Sequence, residues 1–366
     1  MKFLAIAHKG LEDITSLEIN ELIKTKTSIS DGCVIFECSE EEAALLCYKM
    51  QSVKRIILLI DNFKITSLKS IKDSVKKSLS EFKKYLIEDK TFAVRCIKLE
   101  NEDLQTDDIC IETADSLPLS KVNLKNPDIP ILVYIYGKNC FIGVDFSGEE
   151  LSKRDYRVYI HQEAIKATNA YCLLRIAGYE NGDVLLDPFC GSGTILIEAA
   201  LYSTNFSQNY YSKDRFTFMK IFPNIDLSKF DKKVKSKGKL IGYDKELRHV
   251  VAAKKNSKIA GIEDEVEFSR CEIEWLDTKI LEKQIDKIIT NPPNLTNRIN
   301  EKIIEKIYDQ LFFQAEFILK KNGTITIFTK TPDFIKKAAE KYKFKIIHER
   351  EIQVGSDICH IINFSK

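Results

Sequence analysis

Ten residues constrain this chain more than any others: Leu185-Leu186-Asp187-Pro188-Phe189-Cys190-Gly191-Ser192-Gly193-Thr194. Val184, Leu185 and Leu186 read as the end of a buried strand, and Ile195, Leu196, Ile197, Ala199 and Ala200 open an amphipathic helix. Between them, two glycines one residue apart let the backbone come close to a ligand and turn its amides towards it. Thr194 is placed to cap the helix. Strand, tight turn and helix in this order predict an α/β fold with a ligand at the carboxyl end of a parallel strand.

The same residues narrow the ligand. A dinucleotide fingerprint needs a third glycine or alanine where this chain has Leu196, and the Gly-Lys-Ser/Thr of a phosphate-cradling loop is absent. Asp187 stands just before the turn. A carboxylate there repels a pyrophosphate and welcomes an ammonium group, which favours S-adenosylmethionine over a nucleotide. Asp187, Phe189, Gly191, Ser192, Gly193 and Thr194 are therefore cofactor-binding candidates. The competing reading is an ordinary strand–turn–helix corner.

A second anchor is Ile288-Ile289-Thr290-Asn291-Pro292-Pro293-Asn294, an apolar strand running into Asn-Pro-Pro. Prolines fix φ and lack an N–H, so they hold the chain extended and leave carbonyls as acceptors. With the Asn291 side chain they form a neutral acceptor group suited to an exocyclic amine. Asn291, Pro292 and Pro293 are the catalytic candidates, Asn291 also facing the cofactor. A second carboxylate, Asp244, ends the apolar run Leu240-Ile241-Gly242-Tyr243 and is placed to accept ribose hydroxyls.

Composition excludes little beyond this. At 366 residues, two or three domains are expected, and 44% hydrophobic with 30% charged residues is ordinary globular composition. A net charge of +2 requires any nucleic-acid surface to gather its lysines on one face. The 10 cysteines include no C-x-x-C pair, so no metal is expected and free thiols fit a reducing cytoplasm. No apolar run approaches membrane-spanning length.

Along the chain, Phe3–Ala7 reads as a strand, Leu11–Leu22 as a helix, Val34–Phe36 as a strand and Glu40–Met50 as a helix. A strand from Arg55 to Ile60 is followed by Leu68, Ile71, Val75, Leu79, Phe82 and Leu86 at the spacing of one helix. Thr91–Ile97 and Ile131–Tyr136 are further strands, with Val122-Asn123-Leu124-Lys125-Asn126-Pro127-Asp128 between them. A polar, basic connector follows, Ser147-Gly148-Glu149-Glu150-Leu151-Ser152-Lys153-Arg154-Asp155-Tyr156-Arg157. Ala164–Ala177 reads as a helix closed by Gly178, and Tyr202–Lys239 as a long polar insert. Beyond Asp244 come a helix to Ile259, a strand at Val266–Phe268, a helix over Lys302–Leu319, a turn at Asn322-Gly323 and a strand at Thr324–Thr329. A closing strand pair spans Lys345–Glu351 and Ile358–Phe364, with Gly355-Ser356-Asp357 between. Trp275 is expected in the core.

These segments together resemble the THUMP-domain RNA guanine-N2 methyltransferases over nearly the whole chain. Gly10-Leu11-Glu12 is similar to the opening of that family's ferredoxin-like domain, residues 122–128 to its "VDLxNPD" segment, and the connector to its "SGxxLxKRxYR". The resemblance implies a ferredoxin-like domain over 1–54, a THUMP RNA-binding domain over 55–147, a linker over 148–163 and a Rossmann-like class I methyltransferase domain with a seven-stranded sheet over 164–366. It implies cofactor contacts at Thr168 and at Glu272, where the family usually carries aspartate. It also suggests RNA contacts at Lys125, Lys153, Arg154 and Arg157, and an RNA-facing lining in the 202–239 insert. Asn294 and Leu295 stand where the family usually places an aromatic that stacks on the target base, a contact worth roughly 1–3 kcal/mol.

The sequence therefore predicts a cytoplasmic, monomeric, S-adenosylmethionine-dependent methyltransferase that needs no metal. Its expected substrate is RNA, foremost tRNA, at a guanine N2 near position 6. Ribosomal RNA, adenine N6, and a THUMP RNA-binding protein with a weak pocket remain as alternatives.

Overall fold

The computed structural model describes residues 1–366 apart from 86–89, 102, 119–120, 161–162, 296–299 and 356. The chain forms two compact units: residues 1–7, 15–151 and 211–230 make one, and 8–14, 152–210 and 231–366 the other.

The first unit is built on a seven-stranded sheet. Its strands are β1 (Lys2–Ile6), β2 (Thr27–Ser30), β3 (Cys33–Glu37), β4 (Arg55–Lys64), β5 (Phe92–Leu99), β6 (Ile129–Tyr136) and β7 (Asn139–Asp145), in the order β2-β3-β1-β4-β7-β6-β5. All neighbours are antiparallel except β5 and β6. The ten-residue β4 pairs with β1 through its first half and with β7 along its length, so the ferredoxin-like and THUMP-like strands share one sheet. Ser39 and Glu42 cap the helix Glu40–Lys49 reciprocally.

The single helix expected from Leu68 onward is two, Leu68–Lys77 and Leu79–Lys83, interrupted at Ser78. The Ser74 and Ser78 hydroxyls both donate to the Asp61 carboxylate there. Leu86 lies outside the described residues. The insert's aromatics divide: Phe216 and Phe218 are buried, while Tyr211 is exposed. Tyr211–Phe230 packs into the first unit, with Phe216, Phe218, Ile225 and Leu227 buried and Phe218 stacked on Phe146 at 5.0 Å. Apolar rings at this density gain more from a core than from solvent.

The second unit carries β8 (Val184–Asp187), β9 (Lys239–Asp244), β10 (Val266–Arg270), β11 (Ile285–Thr290), β12 (Leu319–Thr329), β13 (Lys345–Val354) and β14 (Asp357–Ser365), in the order β10-β9-β8-β11-β12-β14-β13. The first five run parallel, and β14 lies antiparallel between β12 and β13. This is the seven-stranded class I methyltransferase sheet. Strand order reverses between β8 and β11, so their carboxyl ends open the crevice where such sheets bind ligands.

The turn expected at Asn322-Gly323 is absent. Strand β12 continues through it, and a register shift against β11 between Ile285 and Lys287 absorbs the irregularity. The helix Ala167–Ile176 ends as expected at Gly178, which has φ 64°. Gly355, at φ 66°, turns the β13–β14 hairpin, and Ser356 lies outside the described residues. Leu11 and Ile14 belong to this unit's core.

Candidate active site

Strand β8 delivers Asp187 to the sheet's carboxyl edge because Leu185 and Leu186 are buried on either face of it. The turn then needs both glycines. Gly191 has φ 51° and Gly193 φ 84°. A Cβ on Gly193 would also lie 2.9 Å from the Phe268 ring. Gly193 is itself the N-cap of the helix Thr194–Ser203. Thr194, expected as the cap, is instead the first helical residue, one position too late to cap.

Asp187 is buried, and its Oδ1 accepts from the Thr290 hydroxyl at 2.6 Å and the Phe189 amide at 3.2 Å. Burial pushes its carboxyl up to about 7 despite those two bonds. No donor among the described residues reaches Oδ2.

Asp244, at the end of β9, is held by three donors. Its Oδ2 accepts from the Gly191 amide at 3.0 Å, and its Oδ1 from the Glu246 amide at 2.8 Å. His249 Nδ1 lies 3.1 Å from Oδ1. Sequence reasoning missed His249, although its place in the first turn of the helix Leu247–Ile259 points it back at the strand end. Glu272 is exposed beyond β10. Trp275 is not in the core. It is 60% exposed, because Ile273 and Leu276 take the inward positions of that short helix.

At the end of β11, the Asn291 amide nitrogen donates to the Glu163 carbonyl at 3.1 Å. This fixes the amide orientation. Asn291 Oδ1 is buried and has no hydrogen-bond partner among the described residues. The proline carbonyls are less free than the sequence suggests. Pro292 O accepts from Asn294 Nδ2 at 3.2 Å and Pro293 O from the Tyr308 hydroxyl at 2.7 Å. Asn294 is a structural tie, its Oδ1 accepting from the Thr329 hydroxyl at 2.9 Å and the Lys330 amide at 2.8 Å.

A cavity of about 1110 Å³ joins these ends, lined among others by Tyr159, Glu163, Phe189, Asp244, Glu272 and Asn291. Gly191, Ser192, Pro292 and Pro293 also face it. That volume exceeds the usual single-ligand pocket and gives room for a nucleoside cofactor and a base. Asp187, Ser192, Thr194 and Asn291 line an adjoining cavity of about 20 Å³, which could hold one water-sized group.

Three expected contacts change. Thr168 does not line either cavity; its hydroxyl is buried against His8 Nε2 at 2.8 Å. Arg154 cannot meet phosphate. It is buried in a two-pronged ion pair with Glu198, at 3.0 and 3.1 Å, which the Tyr156 hydroxyl joins at 2.7 Å. Arg157 is half-buried and donates to the Ile165 carbonyl at 2.9 Å. Lys125 and Lys153 are exposed. Among the described residues, no three His, Cys, Asp or Glu side chains gather to hold a metal ion, and no helix is long and apolar enough to cross a membrane.

Residues 154–359 match the RMKL-like methyltransferase domain family, residues 66–145 the THUMP domain and residues 2–57 the RlmL ferredoxin-like domain. A tRNA (guanine(6)-N2)-methyltransferase of Archaeoglobus fulgidus is 29% identical, over 100% of this chain and 92% of the relative. An enzyme of the same name from Methanocaldococcus jannaschii is 27% identical over 97% of each chain. The crystal structure of SMU.472 complexed with SAH superposes with a TM-score of 0.83 at 22% identity, over 100% of this chain and 97% of that one.

Proposed function

The chain belongs to the RMKL-like methyltransferase family, and from that premise we infer that it methylates the exocyclic N2 amine of a guanine in tRNA, at or near position 6. Its cofactor is S-adenosylmethionine, which supplies an electrophilic methyl group on a sulfonium. The residues present fit that group. Asp244 is fixed where it can accept ribose hydroxyls, and among the described residues Asp187 keeps one oxygen without a donor and the buried Ser192 hydroxyl has no partner. Phe189, Gly191, Gly193, Thr194 and Glu272 complete the proposed cofactor site.

The observation that carries the substrate reading is Asn291 Oδ1, a buried acceptor at the mouth of β11 with no partner among the described residues. A buried unpaired carbonyl oxygen is costly, which favours a donor arriving with the substrate. A flipped-out guanine supplies that donor from its N2 amine. Asn291 accepts one N2–H and so aims the nitrogen lone pair, while the Glu163 carbonyl holds the amide in that sense. Pro292 and Pro293 stiffen the support. Most of the rate comes from placing the two reactants together.

The THUMP-like unit would dock the RNA through the exposed Lys125, with the exposed Lys153 of the methyltransferase unit as a further phosphate contact and Arg157 as a weaker candidate. The division into 1–54, 55–147, 148–163 and 164–366, a monomeric state and a cytoplasmic location belong to the same proposal. Among the described residues no cysteine forms a disulfide, which supports that location. The test is transfer of labelled methyl to tRNA and ribosomal RNA transcripts, followed by digestion to nucleosides. N2-methylguanosine in tRNA supports the reading. N6-methyladenosine, label confined to ribosomal RNA, or cofactor binding without transfer overturns it.

A further inference from the structure

We propose that the Glu163 side chain makes this site select guanine, by accepting the base's N1–H while Asn291 Oδ1 accepts an N2–H. The inference rests on the guanine-N2 reading above and deepens it. No sequence motif marks Glu163.

Glu163 is bound to the catalytic corner through its own backbone, since its carbonyl receives the Asn291 amide at 3.1 Å. Its side chain is exposed and lines the same cavity as Asn291 Oδ1. The other carboxylates of the cavity are engaged or remote from that corner. Asp244 holds three donors, Glu246 lies 4.0 Å from Arg248, and Glu274 lies 3.5 Å from Lys306. Glu272 follows β10, the edge strand three places from β11 in the sheet. Glu163 makes no ion pair among the described residues.

The charge of Glu163 is felt on the Asn-Pro-Pro side. Burial raises the Tyr308 phenol, and Glu163 adds to that rise; Tyr308 is the donor to Pro293 O. At Lys330, next to the anchor of Asn294, the Asp357 hydrogen bond raises the ammonium and Glu163 contributes again.

A carboxylate beside an amine acceptor discriminates between bases. The pairing edge of guanine presents N1–H and N2–H₂, two adjacent donors. Adenine and cytosine present an amine beside a bare ring nitrogen, whose lone pair would face the carboxylate. Carboxylates accept only, so the first edge is bound and the second repelled. A paired contact of this kind discriminates by roughly ten- to hundredfold.

The test replaces the guanine that nucleoside mapping identifies as modified by 2-aminopurine, which keeps the 2-amine but has a bare N1. The wild-type chain should prefer guanine over 2-aminopurine by about ten- to hundredfold in kcat/KM. In Glu163→Gln the amide can turn its NH₂ to a bare N1, so the preference should collapse or invert. Glu163→Ala should lose guanine activity and raise 2-aminopurine activity, because the N1–H acceptor and the repulsion of a bare N1 go together. Cofactor affinity should be unchanged in both variants. A guanine preference retained in both variants overturns the inference, as does a loss of cofactor binding that accounts for the lost transfer. Those results leave the guanine-N2 reading standing. A wild-type chain that forms no N2-methylguanosine in any transcript removes that reading and this inference together.

Discussion

Asp187→Asn separates charge from shape at the cofactor turn. The variant keeps an oxygen for the Thr290 hydroxyl and the Phe189 amide but cannot ionise. In the wild-type chain, burial lifts this carboxyl from 3.8 to about 7; the two hydrogen bonds oppose the rise and the Asp244 charge adds to it. The unfolded chain releases this proton near pH 3.8 and the folded chain near 7, so between those values the folded state holds the extra proton. The stability this gives is complete below the unfolded value and is lost as pH rises through the folded one. Between pH 5 and 8 the wild-type chain should lose roughly 3 kcal/mol that Asp187→Asn does not, at about 1.4 kcal/mol per pKa unit.

Cofactor binding carries the opposite sign. An ammonium group needs the carboxylate ionised, so wild-type affinity for S-adenosylmethionine should rise up to about tenfold per pH unit towards 7 and then level. Asp187→Asn should bind weakly with no such slope, short by roughly 1.5–3 kcal/mol at pH 7.5. Calorimetric titrations at pH 5.5, 6.5 and 7.5, with urea unfolding of both ligand-free proteins in parallel, measure both signs. A wild-type affinity independent of pH, or an equal slope in the variant, refutes the assignment of Asp187 to the ammonium.

Two further outcomes follow from named contacts. Asn294→Tyr removes the acceptor for Thr329 and Lys330 and the donor to Pro292, so it should lower both methyl transfer and stability, the latter by roughly 1–3 kcal/mol; higher activity with tighter RNA binding would show the tie to be dispensable. Glu198→Ala strands the buried Arg154 guanidinium and should cost roughly 3–5 kcal/mol in urea unfolding. A cost below about 1 kcal/mol would mean that Arg154 finds water in the folded state.

The sheet of the methyltransferase unit was legible because its candidate site residues end apolar strands. Asp187, Asp244 and Asn291 each close a run whose burial is visible in the residue types alone. The Thr168 and Arg154 assignments failed for one physical reason. Each side chain is satisfied by a partner remote in sequence, His8 or Glu198, and only the folded chain brings them together. The short polar β2, Thr27–Ser30, and the polar helix Thr106–Asp115 carry no strong apolar period, and neither was read. Strand β7 hides a glycine, Gly143, whose missing side chain admits the Leu58 carbonyl; a Cβ there would lie 2.1 Å from that oxygen. The exchange of segments was also invisible. Leu11 and Ile14 serve the core of the methyltransferase unit, while Phe216 and Phe218 serve the other, so removing residues 1–145 would open the catalytic core.

Asn291 Oδ1 is proposed to orient a guanine amine in the pocket that also takes the cofactor. Single-turnover methyl transfer by Asn291→Ala, on a tRNA transcript and with cofactor affinity measured alongside, tests it most directly. The rate should fall roughly 10²–10³-fold, as when one oriented polar contact to a reacting group is lost, while cofactor affinity changes far less. Transfer at a near wild-type rate would contradict the account.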